Sequence, residues 1–211
     1  ILVNTAAFEA TLWEGGKMMG RWSVVVGKTK SPTPIFQAQV TGVTFNPWWE
    51  IPDSIASENI VRMLTRQPTR AVQSGYVFEN GHYRQRPGPG NALGRMKLVM
   101  PNRFNVYLHD TPSQGLFSLE VRAFSHGCVR VGDALGLATA LLDRTPGWNR
   151  AKVDALVASR RTQTVALDAP VPVYIAYFTA EPDGMGSVRY FPDIYRRDVG
   201  LAGSSRAAEC D

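Results

Sequence analysis

Cysteine is scarce in this chain of 211 residues, which has two, Cys128 in mid-chain and Cys210 beside the end. A disulfide between them would tie the interior to a fraying terminus, a poor staple. No CxxC pair or Cys/His cluster has zinc-finger spacing. Cys128 is therefore expected as a free thiol, either packing or a reagent. No apolar run approaches the ~20 residues that span a bilayer. No initiator Met or secretory signal opens the chain, and Ile1-Leu2-Val3 already reads as strand. That start suggests a mature portion or fragment whose targeting signal and further domains lie elsewhere. Repeats and low-complexity tracts are lacking too. The net charge is +5, but the 23 Lys and Arg are scattered, with no basic stripe or nucleic-acid motif, so no nucleic-acid partner is expected. A polyanionic polymer, a carboxylate-bearing peptide or no acidic partner fits that charge equally well.

What is present is an ordinary globular composition, 44% hydrophobic and 19% charged, long enough for one sizeable core. The pattern is β-rich and punctuated by turns. Leu2–Thr5, Ala10–Trp13 and Arg21–Val26 read as strands, the last two joined through Glu14-Gly15-Gly16-Lys17. The texture changes from Val43 to Met100, where Trp48 and Trp49 stand among prolines. Ile60, Val61 and Leu64 then recur at helical spacing over Ser54–Arg66, and a Pro/Gly loop runs from Arg86 to Asn91. Phe104–His109 reads as strand. Asp133 is a good N-cap for a helix through Leu142, and a second helix is expected from Asn149 to Arg160. Strands return at Val171–Thr179 and Ser187–Phe191, around the turn Glu181-Pro182-Asp183-Gly184.

Two short segments carry the chemistry. In the first, a period of two puts Asn105, Tyr107 and His109 on one face and Val106 and Leu108 on the other. In the second, His126, Cys128 and Arg130 alternate with Val129 and Val131. Paired as neighbouring strands, the two rows would face each other with an imidazole, a thiol and a guanidinium on one surface. Thiol acyl transfer needs such a set. A free Cys has a pKa of about 8.5, so a neighbouring His must take its proton and later return it to the leaving amine. Gly127 would let a substrate carbonyl approach the backbone N–H groups there, and Arg130 could pair with a substrate carboxylate. On residue type alone, a mid-chain Cys in a β-protein is more often core packing. His109 could be a half-buried strand residue capped by Asp110. A His/His/Cys zinc site lacks an obvious fourth ligand. Convergence outweighs these, since two of the three histidines and the mid-chain Cys fall in one short span beside a Gly.

Ser125-His126-Gly127-Cys128-Val129-Arg130 resembles the signature of the YkuD-type L,D-transpeptidases, which carry a further His upstream. Here that His is His109, 19 positions earlier, within Tyr107-Leu108-His109-Asp110-Thr111-Pro112. The likeness continues through Asn91-Ala92-Leu93-Gly94, Pro101-Asn102 and Phe124. The resemblance implies a mainly β fold, a YkuD-like β-sandwich or open-barrel core with a few helices. One catalytic domain would occupy 1–211, with an inserted α/loop cap over 43–100, as in the larger Gram-negative-type members.

By that resemblance, Cys128 attacks the peptide bond after the L-centre of diaminopimelate in a tetrapeptide stem and expels D-Ala. His109 is the base, oriented by the Asp110 carbonyl, while His126 and Gly127 shape the oxyanion region. An amine of a second stem resolves the thioester. Tyr107, Trp48 and Trp49 join Arg130 as candidate substrate contacts. Where many members carry Asn two residues after the Cys, this chain has Arg130. The implied partners are peptidoglycan stem peptides and carbapenem β-lactams, the place is the periplasm or cell envelope, and no metal or cofactor is expected. Resolution by water, giving a carboxypeptidase or a wall amidase, is the alternative within enzymes. A non-catalytic wall-binding module is the alternative outside them.

Overall fold

The fold is seen in a computed structural model whose described residues are 1–183 and 186–198. Cys210 and Gly184 lie outside them. The strands are β1 (Leu2–Asn4), β2 (Glu9–Glu14), β3 (Lys17–Gly27), β4 (Phe36–Phe45), β5 (Trp49–Ile51), β6 (Tyr76–Glu79) and β7 (His82–Gln85). They continue as β8 (Met96–Val99), β9 (Leu108–His109), β10 (Ala123–Ser125), β11 (Val129–Val131), β12 (Gln163–Ala176), β13 (Ala180–Pro182) and β14 (Val188–Tyr190). The helices are α1 (Asp53–Ile55), α2 (Val61–Arg66), α3 (Pro68–Gln73), α4 (Ala134–Leu142) and α5 (Arg150–Ala158).

Nine strands pair in the order β10-β3-β11-β9-β8-β4-β12-β1-β2, and β2 pairs again with β3. The hydrogen-bonded circuit therefore closes. The long β3 makes this possible by serving several partners. Its first part, from Lys17 to Ser23, pairs with β2, while Val24 and Val25 pair with β11 and Val26 and Gly27 with β10. Inside lies one core of alternating strand residues, including Val3, Val24, Val26, Val43, Phe45, Leu98, Leu108, Val129 and Val173. Helix α4 closes one side and buries Leu135, Leu137, Ala138, Leu141 and Leu142. Asp133 caps it by accepting from the Gly136 N–H at 3.0 Å. Truncating a fully buried leucine such as Leu137 (0% exposed) would cost about 2–5 kcal/mol.

Three expectations need correction. Val43–Phe45 is the end of β4 and Met96–Val99 is β8, both in the main sheet, so the excursion runs from 46 to 95. Its ends are hydrophobic and alternate like the strands they complete, which the Trp- and Pro-rich middle obscured. That excursion holds the small sheet β5-β7-β6. It also holds a helical run in which α1 leads into a π-helical turn, Ala56–Ile60, and then α2. Ile51, Ala56 and Ile60 form its own core. Phe104–His109 is strand only at Leu108–His109, because Asn105 has φ +53°. The side chain of Asn102 loops the chain there, donating to the Val106 carbonyl at 2.6 Å and accepting from its N–H at 3.3 Å, as Asn does in turns. The Ser125–Val131 segment is two strands rather than one, broken at Gly127.

Candidate active site

The short β9 lies between β8 and β11, and its pairing with β11 is parallel, Leu108 against Val129 and His109 against Arg130. The buried Leu108 and Val129 point into the core. Period-two alternation then turns Cys128, His109 and Arg130 toward one cleft. All three line it, in a volume of about 620 Å³, together with Tyr107, Asn105, Ser125 and His126. Cap residues Trp49, Pro52, Ile55 and Glu58 form the opposite wall.

Gly127 is what bends the chain before the thiol. Its φ is +118°, a conformation that strains any residue with a Cβ. Its N–H donates to Ser125 Oγ at 3.0 Å, and that hydroxyl donates to the Cys128 carbonyl at 2.5 Å. The Gly127 N–H is therefore engaged within the motif itself.

His109 is buried, and its Nδ1 lies 2.5 Å from the Asp110 carbonyl oxygen. A carbonyl can only accept, so Nδ1 carries the hydrogen and Nε2 keeps its lone pair. The Asp110 carboxylate is engaged elsewhere. It accepts from the Arg95 backbone N–H at 2.8 Å and from Arg95 Nε at 2.7 Å. A Cβ on Gly94 would meet it at 2.5 Å, so Asn91-Ala92-Leu93-Gly94 closes around the residue whose carbonyl holds the imidazole.

Burial lowers the His109 pKa from 6.5 to about 4, a shift the Asp110 carbonyl opposes and Arg130 and Lys97 reinforce. Burial pushes the Cys128 thiol up, against contacts from Tyr107, Arg130 and Lys97 that favour the thiolate. Burial thus favours the neutral form of both side chains. While the Cys128 sulfur itself donates to the Asn105 carbonyl at 3.9 Å, the Tyr107 hydroxyl bears electrostatically on both that sulfur and the Trp49 side chain. Burial raises its pKa, so it stays a proton donor. Its ring meets His109 edge-on at 5.7 Å, with Lys97 Nζ 5.3 Å from its centre.

Arg130 is half-buried beside the thiol, and its Nε has no hydrogen-bond partner among the described residues. Trp49 lines the cleft while also packing on the cap core. Trp48 does not line it: the Arg84 guanidinium covers its ring at 4.4 Å, so its place is within the cap. His126, expected to shape the oxyanion region, is exposed at the rim. Its Nε2 is 3.0 Å from both Lys28 Nζ and Glu58 Oε1. No three His, Cys, Asp or Glu side chains gather in a metal-binding group among the described residues.

This site sits in a segment that matches a known family. The model of the YkuD L,D-transpeptidase catalytic domain matches residues 1–154. The chain belongs to that family. A putative L,D-transpeptidase of Haemophilus influenzae is 30% identical over 218 residues, covering 94% of this chain and 44% of that protein. The chain thus spans less than half the length of that relative. Among solved structures, an L,D-transpeptidase from Mycobacterium smegmatis is 14% identical, with a TM-score of 0.41 and coverage of 82% and 56% of the two chains. L,D-transpeptidase 3 from Mycobacterium tuberculosis, with a faropenem-derived adduct, is 14% identical at a TM-score of 0.41, covering 83% and 58%.

Sequence reasoning on this L,D-transpeptidase domain missed Glu58, Lys28 and Lys97. Each reaches the site from an element distant in sequence and belongs to no local motif. Lys97 alone had a signal: it alternates with the buried Met96 and Leu98 in β8, which turns it to the face shared by His109, its register partner.

Proposed function

We propose that this domain is a cysteine acyltransferase of peptidoglycan. One observation carries the proposal: a thiol, an imidazole with Nε2 available and a guanidinium whose Nε is unpartnered among the described residues line one cleft, where two strands pair directly and Cys128 immediately precedes one of them. The donor is the diaminopimelate–D-Ala bond of a tetrapeptide stem. The Arg130 cation receives a stem carboxylate, and its charge together with the Tyr107 hydroxyl favours the thiolate. As the sulfur attacks the carbonyl carbon, the Cys128 proton passes to His109 Nε2. The carbonyl oxygen becomes an oxyanion, received by the Cys128 backbone N–H, because the Gly127 N–H is committed to Ser125. Collapse breaks the C–N bond, His109 returns the proton to the departing D-Ala amine, and a thioester remains. A diaminopimelate amine of a second stem then attacks that thioester and regenerates the thiol.

The cap is a lid in this reading. Trp49 and Glu58 line the cleft opposite the reacting side chains, Glu58 pairing with His126 at the rim, and closure limits water that would hydrolyse the thioester. The substrate assigns the domain to the periplasm or cell envelope, and β-lactams of the carbapenem class are expected to acylate the same sulfur.

Mass spectrometry of purified stems with and without an amine acceptor tests the proposal. Cross-linked product that depends on Cys128 is expected; free tripeptide alone would favour the hydrolytic alternative. A carbapenem should add one covalent mass, absent in Cys128→Ala. An adduct that persists there or maps to Cys210 would overturn the nucleophile.

A further inference from the structure

The match to the family ends at residue 154, yet a later segment reaches back to the catalytic loop. Residues 193–198 wrap the end of β12. Tyr177 donates to Asp193 Oδ1 at 2.6 Å, and the Tyr195 N–H donates to the Tyr177 hydroxyl at 3.0 Å. The two rings stack at 5.2 Å, and the Arg197 guanidinium lies over both. From this knot the Tyr195 hydroxyl donates to the Gly27 carbonyl at 2.6 Å and accepts from the Thr33 N–H at 3.3 Å. Thr33 is fully buried. Its hydroxyl accepts from the Gly27 N–H and donates to the Gly127 carbonyl, both at 2.9 Å. The turn from Gly27 to Thr33 is tight, since a Cβ on Gly27 would lie 2.2 Å from the Ser31 carbonyl oxygen. A further bond, from the Lys28 N–H to the Ser125 carbonyl at 2.9 Å, ties the same turn to the start of the catalytic motif.

We propose that Thr33 is a positioning residue for acyl transfer, aiming the Cys128 N–H, and that Tyr195 holds Thr33 in place from beyond the family match. The Gly127 carbonyl and the Cys128 N–H belong to one planar, trans peptide unit, so they point in opposite directions. No side chain at Gly127 limits rotation of that unit, and glycine backbone is permissive. Fixing the carbonyl from behind therefore fixes the N–H in front. A hydrogen bond accepted by the carbonyl also polarises the peptide and strengthens its N–H as a donor. The inference rests on the acyl-transfer reading, in which that N–H receives the oxyanion.

The test compares two reactions of the same sulfur in the whole chain. Acylation by a carbapenem creates an oxyanion, whereas alkylation by iodoacetamide displaces iodide at carbon and creates none. Thr33→Val, nearly isosteric, should slow acylation roughly tenfold to a hundredfold, part of the ~10²–10³ associated with losing one oxyanion donor. Its alkylation rate should stay within about twofold, the reference for an intact, accessible thiol. Thr33→Ser should restore acylation, and Tyr195→Phe should give the same selective loss in weaker form. Parallel loss of both reactions in Thr33→Val and Tyr195→Phe would mean general disruption and overturn the proposal. So would unchanged acylation in Thr33→Val. If the wild-type chain forms no Cys128 adduct at all, the acyl-transfer reading fails and this inference with it; with normal wild-type acylation, a negative result bears on Thr33 alone.

Discussion

Glu58, on the π-helical turn of the cap, reaches Nε2 of His126, two residues before Cys128, at 3.0 Å. Lys28 Nζ stands at the same distance from that nitrogen. A protonated Nε2 donates to Glu58, and an unprotonated one accepts from Lys28. Exposed pairs of this kind are worth about 0–1 kcal/mol, weak enough to open in each turnover. Glu58→Gln should therefore leave thermal stability nearly unchanged and carbapenem acylation within about twofold. With stem substrates, the ratio of cross-linked to hydrolysed product should fall. Deleting the helical part of the cap should lower that ratio further, and an unchanged ratio in both variants would rule out a lid.

His109→Ala should slow acylation of Cys128 by a factor on the order of 10²–10⁴, the usual worth of a positioned base. The pH profile of Cys128 alkylation should change as well. An identical profile in wild type and variant would show that the imidazole does not govern the thiol.

Acid stability should report the burial of His109. Its folded pKa of about 4 lies below its ordinary 6.5, so between these values the unfolded chain binds more protons. Stability is then lost as pH falls through that window, by up to ~3 kcal/mol from this group. The cations facing it, Lys97 and Arg130, act in the same direction. Denaturant unfolding from pH 7 to pH 4 should show a steeper loss for wild type than for His109→Asn. Parallel curves would contradict the assigned burial.

Tyr107→Phe removes the hydroxyl that favours the Cys128 thiolate while keeping the ring against His109. Loss of this contribution, which opposes the effect of burial, should raise the thiol pKa further. Carbapenem acylation at neutral pH should slow by roughly tenfold or more. An unmoved alkylation profile would remove Tyr107 from the site.

The placing of Cys128 and His109 on one cleft was legible because its signal is local. Alternation around Leu108 and Val129 gives the face, and the Ser-His-Gly-Cys run with its upstream His gives the family. The Asp133 and Asn149 caps were legible for the same reason, each side chain accepting from an N–H three residues on. The breaks were less so. Asn105 and Gly127 adopt positive φ inside runs whose alternation reads as continuous strand, since apolar periodicity carries no information on single backbone torsions. Trp48 and Trp49 were indistinguishable by type, and only the fold turns one to the cleft and the other under Arg84. Glu58 and Thr33 act across long sequence separations, where a lone sequence offers no pattern to read.

The pairing of β4 with β8 has a consequence for how this domain can be altered. Phe45 and Met96 are register partners in an antiparallel ladder, so everything from 46 to 95 hangs from the sheet as the turn of one oversized hairpin. The entropic cost of closing such a loop grows only logarithmically with its length. Its two roots already lie at the spacing of neighbouring strands, which a two-residue turn can bridge. The segment that forms the cap is therefore an attachment rooted at one point of a self-closed frame. An exchange that keeps the imidazole in place must retain residues 91–95, because Gly94 and Arg95 hold Asp110 and its carbonyl holds His109; the part free to vary lies before Asn91.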